Sequence, residues 1–284
     1  MDDRRPADAR HARGDAGPPR PGLRRDGAGR ARHRSPGGTS GIGLACARLL
    51  LAEGASVAIC GRDEARLASA REALGGGESL LAHRCDVLDG AQVAGFAEAV
   101  RGWRGRCDLL VNNAGQGRVS TFAETTDEAW REELELKFFS QIRPLRAFLP
   151  LLRASDAAAI VGVNSLLALQ PEPHMVCTSA ARAGVQNLLK SLATELAPAI
   201  RVNSILLGLV DSGQWQRRWQ AAHAETGIGR EAWFASLAAK KGIPAGRLGQ
   251  PEEPARAILF LGSPAASYVT GAQLEVSGGV SRFL

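Results

Sequence analysis

Seven residues, Gly37-Gly-Thr-Ser-Gly41-Ile-Gly43, constrain the fold more than any other stretch of the chain. Glycines at this spacing permit a tight turn, and the helix-spaced apolar run over 42–53 that follows stops at Gly54. A glycine turn opening a helix leaves the first N–H groups unpartnered and approachable, which suits an anion such as a pyrophosphate. A lone loop of this kind is weak evidence, so the weight falls on its surroundings.

Downstream, short apolar runs alternate with helical patterns. The pattern predicts strands over 56–60, 80–85, 109–111, 158–163, 201–206 and 273–276. It predicts helices over 63–74, 92–103, 179–197 and 254–261, one long helix over 127–152 and a helical insertion over 213–241. Strictly alternating strands and helices imply an α/β, doubly wound parallel sheet of Rossmann type. At 284 residues the chain can bury its core as a single domain, expected over 37–284 with a helical lid at about 213–246.

The first 36 residues are different. They are Arg, Pro, Gly, Ala and Asp, with Leu23 the only large aliphatic side chain, so they are expected to be a disordered tail. A nucleotide-binding glycine loop should follow a buried strand, yet Arg30-Ala-Arg-His-Arg-Ser-Pro36 lacks the composition of one. An out-of-frame reading of a GC-rich gene, joined to the true frame near Gly37, would account for this; a natural tail with the first strand missing is the alternative. The net charge of +6 is also concentrated there: residues 1–34 carry +5 and the other 250 only +1. The folded part is nearly neutral, which argues against a nucleic-acid surface. No apolar run approaches a membrane span. Five scattered cysteines without a CxxC pair suggest reduced thiols in the cytoplasm, and no His/Cys cluster has metal-ligand spacing.

Several further motifs follow the loop in a fixed order: Asn112-Asn-Ala-Gly115 after a strand, Arg201-Val-Asn203-Ser, Gly208, Val269-Thr-Gly271 and Ser277-Gly-Gly279. Together with the GxxxGxG loop they resemble the short-chain dehydrogenase/reductase family over residues 37–281. The resemblance implies a nicotinamide cofactor held by Gly37, Thr39, Ser40, Gly41, Ile42 and Gly43, by Asn113, Ala114 and Gly115, and by Gly208 and Val210. Arg62 stands where that family reads the adenosine ribose; a guanidinium there suits the 2′-phosphate of NADP over the hydroxyl of NAD. Asp86 resembles the family's adenine-contacting aspartate, although capping of its own loop would also explain it. The helices over 127–152 and 179–197 would form a homo-oligomer interface.

The catalytic positions depart from the family's Asn, Ser, Tyr and Lys. Ser165 matches the serine, but thirteen residues on stands Thr178, and four further stands Arg182, giving TxxxR for YxxxK. Lys137 falls where the family has its asparagine. A threonine hydroxyl is far less acidic than a phenol of pKa about 10, and Arg182 can bind ribose but will not release a proton near neutral pH. Lys137, turned inward beside Arg182, is the candidate acid/base, its pKa lowered by like charge and desolvation; the alternative is that it merely fills the asparagine's place. His174 could shuttle protons, though a lone loop histidine is commonly incidental. Trp215, Trp219, Trp233 and Phe234 in the insertion would suit a bulky or aromatic small-molecule substrate, or ordinary helix packing. Two functions fit: an oxidoreductase exchanging a hydride between a nicotinamide and a carbonyl or alcohol, or a non-catalytic NADP-binding sensor or subunit.

Overall fold

The computed structural model describes residues 32–36, 38–113 and 118–282, with side chains from residue 38 onward. The tail up to residue 31, and Gly37, Ala114 and Gly115 of the expected cofactor set, lie outside the described residues. In chain order the elements are β1 (Arg32–Pro36), α1 (Gly41–Ala52), β2 (Ser56–Gly61), α2 (Glu64–Ala73), β3 (Leu80–Arg84), α3 (Gly90–Arg104) and β4 (Leu109–Asn112). Next come α4 (Asp127–Leu134), a π-helical turn (Glu135–Phe139), α5 (Ser140–Arg153), β5 (Ala158–Ser165), α6 (Val176–Glu195) and β6 (Ile200–Leu207). The chain closes with α7 (Gly213–Thr226), α8 (Arg230–Lys240), α9 (Glu252–Gly262) and β7 (Gln273–Val276).

The strands form one parallel sheet in the order β3-β2-β1-β4-β5-β6-β7. Strand order reverses between β1 and β4, and at such a reversal the carboxyl ends of the strands open into a crevice. Alternate residues of each strand feed two separate cores. Ala58, Leu110 and Ile160 pack under α3, α5 and α6 together with Phe96 and Phe148, whereas Val57, Ile59, Leu109 and Val161 pack under α1 and α9. A sheet buried on both faces explains why these strands read as continuous apolar runs. All five cysteines are buried in this framework and none is paired in a disulfide with another.

Two expectations are corrected. Residues 32–36, expected to lie outside any strand, form β1, paired in parallel with β2 from Arg32 to Pro36 and with β4 at His33 and Arg34. Ladder bonds are made by the backbone, so two neighbouring strands can hold a segment whose composition argues against it; Pro36, which has no N–H, stands at its last position. The expected single helix over 127–152 is broken by the π turn at 135–139. Just after it, at the start of α5, the Ser140 hydroxyl donates to the Leu136 carbonyl (2.7 Å), engaging a group in the stretch where the α-helical ladder is interrupted. Pro144 and Pro150 then remove two donors from α5.

Candidate active site

At the crevice, a cleft of about 460 Å³ lies across the ends of β2, β3 and β4, lined by Thr39, Ser40, Gly41, Ile42, Arg62, Asp86, Asn113 and Val210. Gly41 has φ of +53°, a left-handed conformation that turns the chain into α1. Ser40 makes no side-chain cap and the first turn of α1 holds no acidic residue, so no carboxylate of the helix itself competes for its first N–H groups. Gly61, also on the wall, touches the loop: a Cβ there would lie 2.7 Å from Thr39 Cγ2. Arg62 and Arg66 supply two cations to the rim. A pyrophosphate-bearing ligand with an additional anionic group fits this lining. Asp86 accepts a hydrogen bond from Leu88 N (3.0 Å), so it caps its loop while also lining the cleft.

A buried polar cluster lies beside this cleft. Thr178 and Arg182 are one turn apart on α6; Glu133 and Lys137 are one turn apart across α4 and the π turn, and the two faces meet. Lys137 is fully buried and Glu133 is 2 % exposed, with Lys137 Nζ 3.5 Å from Glu133 Oε1. The Thr178 hydroxyl donates to the same oxygen at 2.5 Å. Arg182 donates from Nη1 to the Val163 carbonyl (3.0 Å), and the Asn164 side chain donates to the Arg182 carbonyl (3.1 Å), tying the cluster to the strand end that carries Ser165. Gly184, on α6, leaves room for Phe138 of the π turn; a Cβ there would be 3.3 Å from its ring.

Burial, followed by the Arg182 charge, lowers the Lys137 ammonium pKa to about 8, against an opposing pull from Glu133. Desolvation likewise pushes Arg182 down to about 10, which still leaves it charged at neutral pH. The enclosed Arg182 Nε has no hydrogen-bond partner among the described residues. Such a donor is costly to leave unmet and suits a ligand hydroxyl.

Ser165 faces a second, larger cavity of about 920 Å³, bounded by the loop over 170–175, by α7 and by the chain after β7. Its hydroxyl accepts from Leu167 N (3.3 Å). Gly208 lines this cavity and lets β6 approach Ser277, since a Cβ there would lie 2.8 Å from Ser277 Cα.

The family model described as enoyl-(acyl carrier protein) reductase matches residues 37–281. The chain belongs to the short-chain dehydrogenase/reductase family. It is an oxidoreductase of that NAD(P)-dependent family. A short-chain oxidoreductase from Pseudomonas aeruginosa PAO1, described as containing an atypical catalytic center, is 60% identical, with a TM-score of 0.86 over 89% of this chain and 98% of that one. The NADPH-bound structure of that oxidoreductase matches with a TM-score of 0.84. L-sorbose reductase from Gluconobacter frateurii, complexed with NADPH and L-sorbose, is 32% identical with a TM-score of 0.84, covering 90% of this chain and 99% of that one. Cis-4-hydroxycyclohexanecarboxylate dehydrogenase of Sinomonas cyclohexanicum is 37% identical over 245 residues, 86% of this chain and 93% of that protein.

For a short-chain dehydrogenase/reductase, this chain distributes its expected site residues over three places. Thr39, Ser40, Gly41, Ile42, Arg62, Asp86, Asn113 and Val210 line the smaller cleft, while Gly43 is buried in α1. Lys137, Thr178 and Arg182 meet in the cluster. Ser165 and Gly208 line the larger cavity, to which His174 contributes while pairing with Glu172 (3.0 Å). Of the four aromatics in the lid, Trp215 alone lines that cavity. Trp219 instead donates to the Ile228 carbonyl (3.3 Å), Trp233 lies tilted beside Trp215 and edge-on to Phe234, and Phe234 packs on the small core of Ala238, Ile243 and Leu248. Sequence reasoning missed Glu133 and Arg66. Glu133 had a usable signal: it stands four residues before Lys137, the spacing that places a carboxylate beside an ammonium on a helix.

Proposed function

We propose that this chain is an NADP-dependent oxidoreductase acting on a carbonyl or alcohol substrate, with Lys137 as its acid/base group in place of the family's tyrosine. The observation that carries the proposal is the Glu133–Lys137–Thr178–Arg182 cluster, which holds a lysine with pKa about 8 beside the strand end bearing Ser165. A group titrating near the working pH can both give and take a proton. Arg62 and Arg66 on the cleft rim support NADP, as does the NADPH-bound relative.

Bound NADPH supplies the hydride; the rest is the work of the chain's own groups. The N–H groups at the start of α1 hold the pyrophosphate, and Arg62 and Arg66 hold the 2′-phosphate. Arg182 offers its free Nε to a ribose hydroxyl and keeps Lys137 acidic. Ser165 donates a hydrogen bond to the substrate carbonyl oxygen in the larger cavity. Lys137 is enclosed, so its proton must reach that oxygen through a relay, and Thr178, which shares Glu133 Oε1 with the ammonium, is the hydroxyl within the cluster. Glu133 holds the ammonium between turnovers. The substrate is bulky or aromatic, on the volume of the cavity and its Trp215 wall; five buried cysteines without a disulfide support work in the cytoplasm, and the family resemblance supports a homo-oligomer.

The complete enclosure of Lys137 favours a second reading, in which it only balances the Glu133 charge where the family has an asparagine, and the proton comes from solvent through Ser165. Titration with NADPH and NADH, followed by a panel of carbonyl and alcohol compounds, tests the function itself. Tighter NADPH binding and turnover of at least one compound are expected. Tight NADPH binding with no turnover of any compound would instead make the chain a non-catalytic nucleotide-binding protein.

A further inference from the structure

The larger cavity has a charge pattern that the hydride chemistry does not use. Arg218, Lys240, Lys241 and Arg282 stand on its lining, where Glu172 is the only acidic residue among the described residues. Glu172 is already shared between His174 (3.0 Å) and Lys241 (3.7 Å). Among the described residues, no carboxylate lies within ion-pair range of Arg218, Lys240 or Arg282. The Arg218 guanidinium rests over the Trp215 ring, 4.8 Å from its centroid, which holds a cation against the apolar wall. Gln170 accepts from the backbone N–H of Arg282 (3.1 Å), anchoring the end of the chain to the loop over 170–175. The chain beyond residue 34 carries a net charge of only +1, so four cations around one concavity are a local concentration. A concave surface of one sign focuses its field on whatever enters. The same lining also carries the apolar side chains of Val119, Leu166, Met175, Leu209 and Val280.

We propose that the substrate is an organic acid, whose carboxylate is held by the Arg218–Lys240–Lys241–Arg282 rim while its apolar body brings a carbonyl or alcohol carbon to Ser165. This rests on the oxidoreductase reading above and adds the class of substrate. The rim cations select the anion and position it without touching the reacting carbon.

The test compares benzoylformate, levulinate and benzoylpropionate with their methyl esters, using the full chain and NADPH. The expected result is a kcat/KM at least about tenfold higher for the acids at low ionic strength, shrinking in about 0.5 M salt as the rim is screened. The Arg218→Met, Lys241→Met double variant should bring the acid-to-ester ratio toward one, chiefly through KM. Equal kcat/KM for acid and ester overturns the proposal while leaving the oxidoreductase reading intact. If no compound in either set turns over, that reading fails, and calorimetry on the NADP⁺-loaded protein tests the rim independently. Benzoate should then bind at least about tenfold more tightly than benzamide, a difference of about 1.4 kcal/mol. Equal binding overturns the proposal. Binding of phenyl phosphate with none of benzoate would make the anion a phosphate and remove the carboxylate assignment.

Discussion

Raising the pH should switch off carbonyl reduction earlier than an ordinary lysine would allow. The Lys137 ammonium has a pKa of about 8, set first by burial and then by Arg182, with Glu133 pulling the other way. Reduction consumes the protonated form, so kcat/KM should be level below about pH 7 and fall about tenfold per unit above pH 8. At pH 9 about one-tenth of such a group stays protonated, whereas an unperturbed lysine with pKa about 10.4 would be about 96% protonated; the difference corresponds to about 3 kcal/mol of stabilisation lost by the charged form. Oxidation of the alcohol needs the free amine and should rise over the same interval. The assay is NADPH absorbance under steady-state conditions from about pH 6 to 9.5, repeated with Arg182→Met. Removing that like charge must move the midpoint upward, because Arg182 lowers the Lys137 pKa. A level reduction profile to pH 9.5, or a midpoint that moves downward in Arg182→Met, would refute the reasoning.

Other expectations can be checked separately. Glu133→Gln removes the carboxylate that favours the charged lysine, so the midpoint should fall below the wild-type value, and leaving a buried charge unbalanced should cost about 3–5 kcal/mol in denaturant melts. Arg62→Asp should weaken NADPH binding by about 1.5–3 kcal/mol, roughly tenfold to a hundredfold, and improve NADH, as measured by fluorescence titration. Gly208→Ala places a Cβ 2.8 Å from Ser277 Cα and 2.9 Å from its carbonyl oxygen, so β6 and the chain after β7 must separate. A loss of about 1–3 kcal/mol, seen as a fall in Tm, should follow from that overpacking.

Much of the architecture could be read from the chain because a sheet buried on both faces writes itself as short apolar runs between helical patterns. The strand over 273–276 coincides with β7, and the glycine loop leads into α1 as expected. The π turn was not legible. One extra residue in a turn changes the phase of a helix without introducing a glycine or proline at the break, and Glu135-Leu-Lys-Phe-Phe139 has no breaker. β1 was illegible for another reason: its place is set by ladder bonds from β2 and β4, which composition does not report. In the site, motif position singles out Ser165, Thr178, Arg182 and Lys137 as candidates, but it does not report how they are distributed in space. Ser165 lines the larger cavity, whereas Lys137 is fully buried and lines neither cavity. Glu133 sits in Asp127-Glu-Ala-Trp-Arg-Glu-Glu-Leu134, where four acidic residues read as a solvated helix face; its place four residues before Lys137 sets it apart, and its bond to Thr178 accompanies its burial.

The central claim is that Lys137 moves the proton. Lys137→Met fills the same space without an ionisable group, and a single-turnover mix of the NADPH-loaded variant with a substrate of the wild type isolates the chemical step. Hydride transfer should fall at least about a hundredfold, the lower end of general acid–base contributions, while NADPH affinity stays within about twofold. Hydride transfer at the wild-type rate, with NADPH bound normally, would contradict it and leave Lys137 as a structural replacement for the asparagine.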